Sequence, residues 1–198
     1  DPNFVMNTDA QHPDKKDYDG KYLYTQTASP FEAFLCRVGD ALISHETKKY
    51  KFQTPLAFSN WITTDPLTHP NEPHYDEDKA TVNTENVKSR SFGPGMFASY
   101  HIYPYYPDSL NYQEDYLENI DDSGKVNTYA AYLADLKLAH TMPIIVAEFG
   151  IPTSRGMGHE SVMGYNQGMV DETDQGAMLI DMLECIADAK YAGGIVFT

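Results

Sequence analysis

Cationic residues are scarce in this sequence. It contains 14 lysines and arginines against 29 aspartates and glutamates, which gives a formal net charge of -15 at pH 7. Binding to nucleic acid depends on clustered lysine and arginine side chains that neutralise phosphate groups. We therefore expect no nucleic-acid partner, and the acidic composition is more compatible with a neutral ligand.

Long apolar runs are also missing. Every apolar stretch of the chain is far shorter than the roughly 20 residues that a membrane-spanning helix requires. The sequence does not open with a basic segment followed by an apolar one, so it shows no recognisable signal pattern. We expect no membrane insertion.

Features typical of metal and cofactor sites are absent as well. The two cysteines, Cys36 and Cys185, lie among apolar residues in predicted helices, where a cysteine usually acts as a small buried hydrophobe. No His, Cys or Asp cluster has the spacing of a metal site, and neither a G-x-S-x-G motif nor a P-loop is present. We therefore expect neither a disulfide, a metal nor a cofactor.

Short apolar strands alternate with amphipathic helices along most of the chain. Predicted strands cover residues 55–61, 97–103, 143–148 and 193–198. Predicted helices cover residues 31–50, 127–140 and 172–190. Residues 1–27 are predicted to form a loop, and a weak helix is predicted near residues 78–90 within the polar segment 62–95. This order is typical of a parallel sheet with crossover helices.

The first predicted helix has a clear start. Ser29 is suited to an N-cap, Pro30 to the first helical position, and Glu32 to the return hydrogen bond of a capping box. Apolar residues then recur at helical spacing and predict the face that the helix buries: Phe31, Phe34, Leu35, Val38 and Leu42.

Two architectures fit a parallel sheet with crossover helices. A doubly wound sheet usually has a glycine-rich phosphate turn after a strand, and no G-x-G-x-x-G motif is present. Polar residues at strand ends, followed by long loops, favour a TIM (β/α)8 barrel. Four strands are about half of a barrel, so we expect residues 1–198 to form a single domain, the C-terminal half of a barrel truncated at both ends. The missing N-terminal half would belong to the same polypeptide.

Glu148 is the most informative single residue. It ends the apolar strand at residues 143–148, where a barrel keeps its active site, and Phe149 and Gly150 follow it. A carboxylate there is either catalytic or satisfied structurally by a helix terminus or an arginine. The position makes the catalytic interpretation the stronger one.

Residues 143–150, together with residues 97–107, resemble strands seven and six of a large clan of retaining glycosidases. This clan includes the family 2 and family 5 barrels and many cellulases and mannanases. The resemblance implies that Glu148 is the nucleophile, that Tyr103 donates a hydrogen bond to it, and that His101 lines the site. His101 and Tyr103 alternate along one strand and can therefore face one pocket, although a core histidine is the alternative for His101.

Further candidate residues follow other strands. Asn60 and Trp61 end a strand and resemble a hydrogen-bonding group beside a stacking platform for a sugar. Tyr105 and Tyr106, with Asp108, are candidates for a cleft wall. Several polar residues lie in the loop after Glu148, where solvent-exposed side chains are the ordinary expectation: Arg155, His159, Tyr165, Asn166 and Gln167.

A retaining glycosidase needs a second carboxyl group about 5 to 5.5 Å from the nucleophile. The resemblance implies that this group follows an asparagine at the end of strand four. Asn71 and Glu72 copy that motif, but the proline-containing residues 65–70 before them cannot form a buried strand. We therefore expect the acid/base upstream of Asp1, with residues 1–3 in the loop that leaves strand four, and regard Glu72 as the less favoured candidate.

The sequence thus predicts a retaining glycoside hydrolase that acts on a β-linked glycan in polysaccharide degradation. Such an enzyme would be secreted or held at the cell surface, because its substrate lies outside the cell. One alternative is a non-catalytic carbohydrate-binding or degenerate barrel. Another is a different barrel or an α/β binding domain, in which Glu148 would pair with a cation and would not share a cleft with His101 and Tyr103.

Overall fold

The computed structural model describes residues 1–198, which form six helices and six strands. The helices are α1 (Pro2–Gln11), α2 (Pro30–Tyr50), α3 (Ser109–Tyr112), α4 (Glu114–Leu117), α5 (Thr128–Leu138) and α6 (Glu172–Asp188). The strands are β1 (Leu23–Thr25), β2 (Ser59–Trp61), β3 (Val87–Ser89), β4 (Ala98–His101), β5 (Ile144–Phe149) and β6 (Gly193–Val196). None of the helices combines the length and the apolar character needed to span a membrane.

The strands form two separate sheets. Four of them make a parallel sheet in the order β2-β4-β5-β6, and β1 pairs with β3 in an antiparallel ribbon. In the parallel sheet, Trp61 on β2 is opposite His101 on β4, and His101 is opposite Glu148 on β5. Parallel strands end at the same edge of a sheet, so these three side chains are brought together there.

The prediction that the chain forms the C-terminal half of a TIM (β/α)8 barrel is wrong. The structure is a small α/β domain whose parallel sheet has four strands, with β2 and β6 at its edges. The antiparallel pair β1-β3 is a second sheet that the barrel pattern does not contain. Alternation of strands and helices is common to barrels and to other α/β domains, so it does not distinguish half of a barrel from this arrangement.

The main hydrophobic core lies between the parallel sheet and helices α5 and α6. One face of α5 is completely buried, and it consists of Tyr129, Tyr132, Leu133 and Leu136. On α6, Met182 and Ile186 are buried, whereas Leu183 is exposed. This core also contains Val146 and Phe149 of β5, so the strand that carries Glu148 is fixed on both sides of that residue.

A smaller core lies between α2 and the β1-β3 ribbon. The predicted helix start is confirmed, with both hydrogen bonds of the capping box between Ser29 and Glu32 present. The predicted buried face is wrong, because Phe34, Val38 and Leu42 are each 48% exposed. The helix packs through smaller residues instead: a Cβ atom at Gly39 would lie 2.8 Å from the Leu56 side chain. Helix α2 therefore packs through the close approach of its backbone at Gly39, and its predicted apolar face is largely exposed.

Two local predictions are also wrong. Residues 1–27 are not entirely a loop, because Asp1 caps helix α1 by accepting a hydrogen bond of 2.8 Å from Asn3 N, and Pro2 occupies the first turn. Val5 is the one buried residue of α1, so this helix has no apolar periodicity that the sequence could reveal. The weak helix predicted near residues 78–90 is a 3-10 turn at Thr84–Asn86 followed by β3.

Candidate active site

Strand β5 presents Glu148 through a local break in its register. Ile144 and Val146 alternate as buried residues, and strict alternation would also bury position 148. The pairing shifts near the end of the strand, so that Phe149 is buried in its place and Glu148 is opposite His101. An irregularity of this kind bends a strand and redirects a side chain. The shift leaves the Glu148 side chain 27% exposed, at the mouth of a cavity.

Two side chains contact the Glu148 carboxylate. The Tyr103 hydroxyl group donates a hydrogen bond of 2.8 Å to Oε2, and His101 Nδ1 lies 3.0 Å from the same oxygen, out of line for a hydrogen bond. Burial, and then the neighbouring carboxylate, raise the pKa of Tyr103, so the phenol stays protonated as a donor. Oε1 accepts no hydrogen bond from the protein. One oxygen is held and the other is free to react.

No lysine or arginine side chain lies within ion-pair distance of Glu148, and neither residue type lines its cavity. A structural carboxylate would ordinarily be neutralised by such a partner. This arrangement disfavours the alternative in which Glu148 is held by an arginine.

The cavity beside Glu148 has a volume of about 460 Å³. It is lined by Trp61, Tyr103, Tyr105, Tyr106, Glu148, Pro152, His159, Gln167, Phe197 and Thr198. Five residues selected from the sequence are therefore brought together in one place, although they come from three separate parts of the chain. A volume of this size, with mainly aromatic walls and a few polar groups, is typical of a small-molecule site.

Aromatic rings surround the carboxylate. Trp61 is 39% exposed, and the centroid of its ring lies 5.0 Å from that of His101 and 6.3 Å from that of Tyr103. Tyr103 in turn stacks on Tyr105 at 5.5 Å. His101 does not line the cavity and lies beside Trp61, with Glu148 on its other side. Trp61 is therefore partly exposed and lines the same cavity as the carboxylate, and its role as a stacking platform stays a prediction.

Asn60 does not have the position expected of a sugar-binding residue. It is 4% exposed, its Nδ2 donates to Val82 O at 2.9 Å, and its Oδ1 accepts from Thr64 Oγ1 at 2.6 Å. Its amide is therefore used to fix the loop after β2. Asp108 also lies outside the cavity, 3.3 Å from His74 Nε2.

Glu148 is the only carboxylate among the residues that line this cavity. Glu72, the less favoured acid/base candidate, is engaged elsewhere: Oε1 accepts from His74 N at 3.0 Å and Oε2 from Ser109 N at 2.7 Å. Another carboxylate, Glu77, accepts a hydrogen bond of 2.6 Å from Tyr106 and lines a neighbouring cavity. The expectation of an acid/base upstream of Asp1 stays a prediction.

His159 and Gln167 are two of the five polar residues that the sequence indicated in the loop after β5, with solvent exposure as the ordinary expectation for all five. Both line the cavity. Their neighbours serve the loop itself, since Asn166 Oδ1 accepts from Ser161 N at 2.8 Å and the Tyr165 hydroxyl group donates to Asp181 at 2.7 Å. No signal in the sequence separates the two groups, because the distinction depends on how the loop folds back.

The fold and the site define an α/β domain with a carboxylate in an aromatic cleft at the carboxyl edge of a parallel sheet. No group of three or more His, Cys, Asp and Glu side chains is arranged to hold a metal ion. Comparison with protein families, with curated proteins and with solved structures finds no match to this chain.

Proposed function

We propose that this protein is a glycoside hydrolase that cleaves a β-linked glycan by a retaining, double-displacement mechanism, with Glu148 as the nucleophile. The observation that carries the proposal is the environment of Glu148. Its Oε2 is held by Tyr103, its Oε1 is free, and an exposed aromatic face lies beside it. Retaining glycosidases require a fixed, ionised carboxylate next to the sugar-binding surface.

The first step forms a bond between Glu148 Oε1 and the anomeric carbon. The bond from that carbon to the leaving oxygen breaks, and the leaving oxygen keeps the electron pair; an aryl oxide leaves as a phenolate, whereas the alkoxide of a natural glycan needs a proton from an acid. In the second step a water oxygen attacks the anomeric carbon, the bond to Glu148 breaks, and the carboxylate is restored as the water loses a proton to the solvent. Tyr103 keeps the carboxylate oriented through both steps by its hydrogen bond to Oε2.

Natural glycans have poor leaving groups and need a proton donor in the first step. Glu148 is the only carboxylate that lines the cavity, so the proton donor for a natural glycan would have to come from outside this lining. The leaving group of an activated aryl glycoside is a stable phenolate, so its departure does not require a proton donor. Activated substrates therefore test the role of Glu148 independently of the acid/base group.

The walls of the cavity support a carbohydrate ligand. Sugars have apolar C–H faces, which stack on aromatic rings, and neutral hydroxyl groups, which form hydrogen bonds. The cavity provides Trp61 for stacking and the amide of Gln167 for hydroxyl groups, with no cationic lysine or arginine that would select an anion.

The test is hydrolysis of dinitrophenyl β-glycosides of several sugars, with the anomer of the first-formed sugar observed by NMR. We expect release of dinitrophenolate and a β-configured product from the wild type, and loss of both in Glu148→Gln. A folded wild-type protein that releases no phenolate from any sugar would contradict the proposal. An α-configured first product would contradict the double displacement, because one inversion would then have occurred.

A non-catalytic carbohydrate-binding domain is a second candidate. The absence of a second carboxylate from the cavity lining favours it. In that case, oligosaccharides would change the fluorescence of Trp61, the single tryptophan of the chain, whereas no dinitrophenyl glycoside would be cleaved.

A further inference from the structure

The loop between β5 and α6 forms one wall of the cavity. It folds back on itself through backbone hydrogen bonds from Gly158 N to Gln167 O at 2.7 Å and from Gln167 N to His159 O at 2.8 Å. A third bond joins Met169 N to Ser154 O at 2.7 Å. The two arms of the loop are therefore paired, and the side chains of His159 and Gln167 have defined positions beside the cavity.

The side-chain amide of Gln167 has no partner within the protein. The residue is half-buried and lines the cavity, yet its amide makes no hydrogen bond to any other group. His159 is exposed and also lacks a side-chain hydrogen bond, while its ring lies 5.2 Å from that of Tyr106. A glutamine amide offers two donors and one carbonyl acceptor. Such a group is suited to a neutral hydroxyl, which both donates and accepts.

Gly158 leaves room for the Gln167 side chain. A Cβ atom at position 158 would collide with Gln167 Oε1 and lie 3.0 Å from its Cδ. The backbone of Gly158 is outside the left-handed region, so the conformation itself does not require glycine. A larger residue at position 158 would occupy the space that the end of the flexible Gln167 side chain now fills, and would displace it.

We propose that Gln167, placed against Gly158 and beside His159, is a specificity-determining residue that hydrogen-bonds a ring hydroxyl group of the bound glycan. The inference rests on the proposed carbohydrate ligand and adds to it the group that distinguishes one sugar from another. A site built to hydrogen-bond a hydroxyl group discriminates strongly against a ligand that lacks it, because its polar groups are then left unpaired.

The experiment measures binding of β-1,4-linked tetrasaccharides of glucose, mannose and xylose. Mannose differs from glucose in the configuration of the hydroxyl group at C2, and xylose differs from glucose in lacking the hydroxymethyl group at C5. The fluorescence of Trp61 reports occupancy, because it is the single tryptophan and lines the cavity. The wild type is compared with Gln167→Ala and with Gly158→Ala, which displaces the amide without removing it. Gly156→Ala is the matched control, since a Cβ atom there would meet no atom within 4 Å.

We expect the Kd for the preferred tetrasaccharide to rise about tenfold in Gln167→Ala, with a smaller change for the other two. The ratio between the Kd values of the three ligands should therefore decrease. Gly158→Ala should change the preference in the same direction, and Gly156→Ala should retain the wild-type values. Far-UV circular dichroism and thermal melting confirm that each variant is folded.

Two results would overturn the inference, and they differ from each other. If the wild type binds a tetrasaccharide but Gln167→Ala keeps the wild-type preference, or weakens all three ligands equally, Gln167 is not a specificity determinant and the carbohydrate ligand still stands. If none of the three changes the fluorescence of the folded wild type, the carbohydrate ligand itself is wrong and the role of Gln167 is withdrawn with it.

Discussion

The Tyr103 hydroxyl group lies 2.8 Å from Glu148 Oε2, although the two residues are 45 positions apart in the chain. The contact is made possible by neighbouring strands, since β4 ends just before Tyr103 and β5 carries Glu148. It fixes one oxygen of an otherwise accessible carboxylate. It is the one hydrogen bond that the protein makes to the Glu148 carboxylate.

Replacement of Tyr103 by phenylalanine removes the donor to Glu148 and keeps the ring that stacks on Tyr105. A hydrogen bond to a charged group contributes about 1.5 to 3 kcal/mol. We therefore expect kcat for a dinitrophenyl β-glycoside to fall about ten- to hundredfold, with KM changed by less than about threefold. Steady-state kinetics measure both constants.

Tyr116→Phe is the matched control, because the Tyr116 hydroxyl group donates a hydrogen bond of 2.9 Å to Asp135 and lies outside the cavity. It removes the same kind of bond, so it should lower thermal stability while kcat stays at the wild-type value. Equal kcat in Tyr103→Phe and the wild type would contradict the positioning role of Tyr103.

Asp40 joins helix α2 to the β1 segment. Its carboxylate accepts hydrogen bonds from Tyr22 N at 2.6 Å and Leu23 N at 2.8 Å. Burial raises the pKa of Asp40, but the backbone donors outweigh burial and hold the pKa below its ordinary value of 3.8. We expect Asp40→Asn to lower the free energy of unfolding by about 2 to 3 kcal/mol at neutral pH, as measured by urea denaturation.

The pH dependence has a definite sign. Because the pKa of Asp40 is lowered in the folded state, its contribution is fully present above pH 3.8 and is lost as the pH falls through the folded value. The stability gap between the wild type and Asp40→Asn should therefore close in acid. Asp14→Asn is the control, since Asp14 is exposed and makes no hydrogen bond. A gap that stayed constant down to the acid transition would contradict the assignment.

His69 and Asp65 form a buried pair, with His69 Nε2 lying 3.2 Å from Asp65 Oδ2. Burial lowers the pKa of His69, but the Asp65 carboxylate outweighs burial, and the net pKa is above 6.5. The stabilisation is therefore fully present below pH 6.5 and is lost as the pH rises through the folded pKa. Each unit of upward shift corresponds to about 1.4 kcal/mol.

The difference in unfolding free energy between the wild type and His69→Gln, measured by urea denaturation, should shrink as the pH rises from about 6 to about 9. Burial lowers the pKa of His140, so this residue makes stability depend on pH in the opposite direction from His69. His140 is present in both proteins, and its effect therefore cancels in the difference between them. A difference that grew with pH would show that His69 is neutral in the folded protein.

Part of the site could be predicted because its signal is local. A buried parallel strand is a continuous apolar run, so residues 143–148 indicated both β5 and the carboxylate at its end. Trp61 follows the same rule at the end of β2. Tyr103 was selected through a family resemblance, and the structure brings its hydroxyl group to Glu148.

The remaining features depend on packing between distant segments. The division of the strands into a four-stranded parallel sheet and a separate β1-β3 ribbon depends on which distant strands pair, and no single strand encodes that choice. The buried face of α2 was mispredicted because Gly39 permits a closer approach than the apolar stripe suggests. The register shift near Glu148 arises from pairing with both neighbours of β5, and Asn60 looked available only because its partners are remote in sequence.

The most direct test of the central claim is mass spectrometry after incubation with activated 2-fluoro β-glycosides, which form long-lived covalent intermediates with retaining nucleophiles. We predict a single sugar adduct on the wild type, located by peptide mapping to Glu148, and none on Glu148→Gln. An adduct on another carboxylate, or a folded wild-type protein that remains unlabelled by every sugar, would contradict the assignment of Glu148 as the nucleophile.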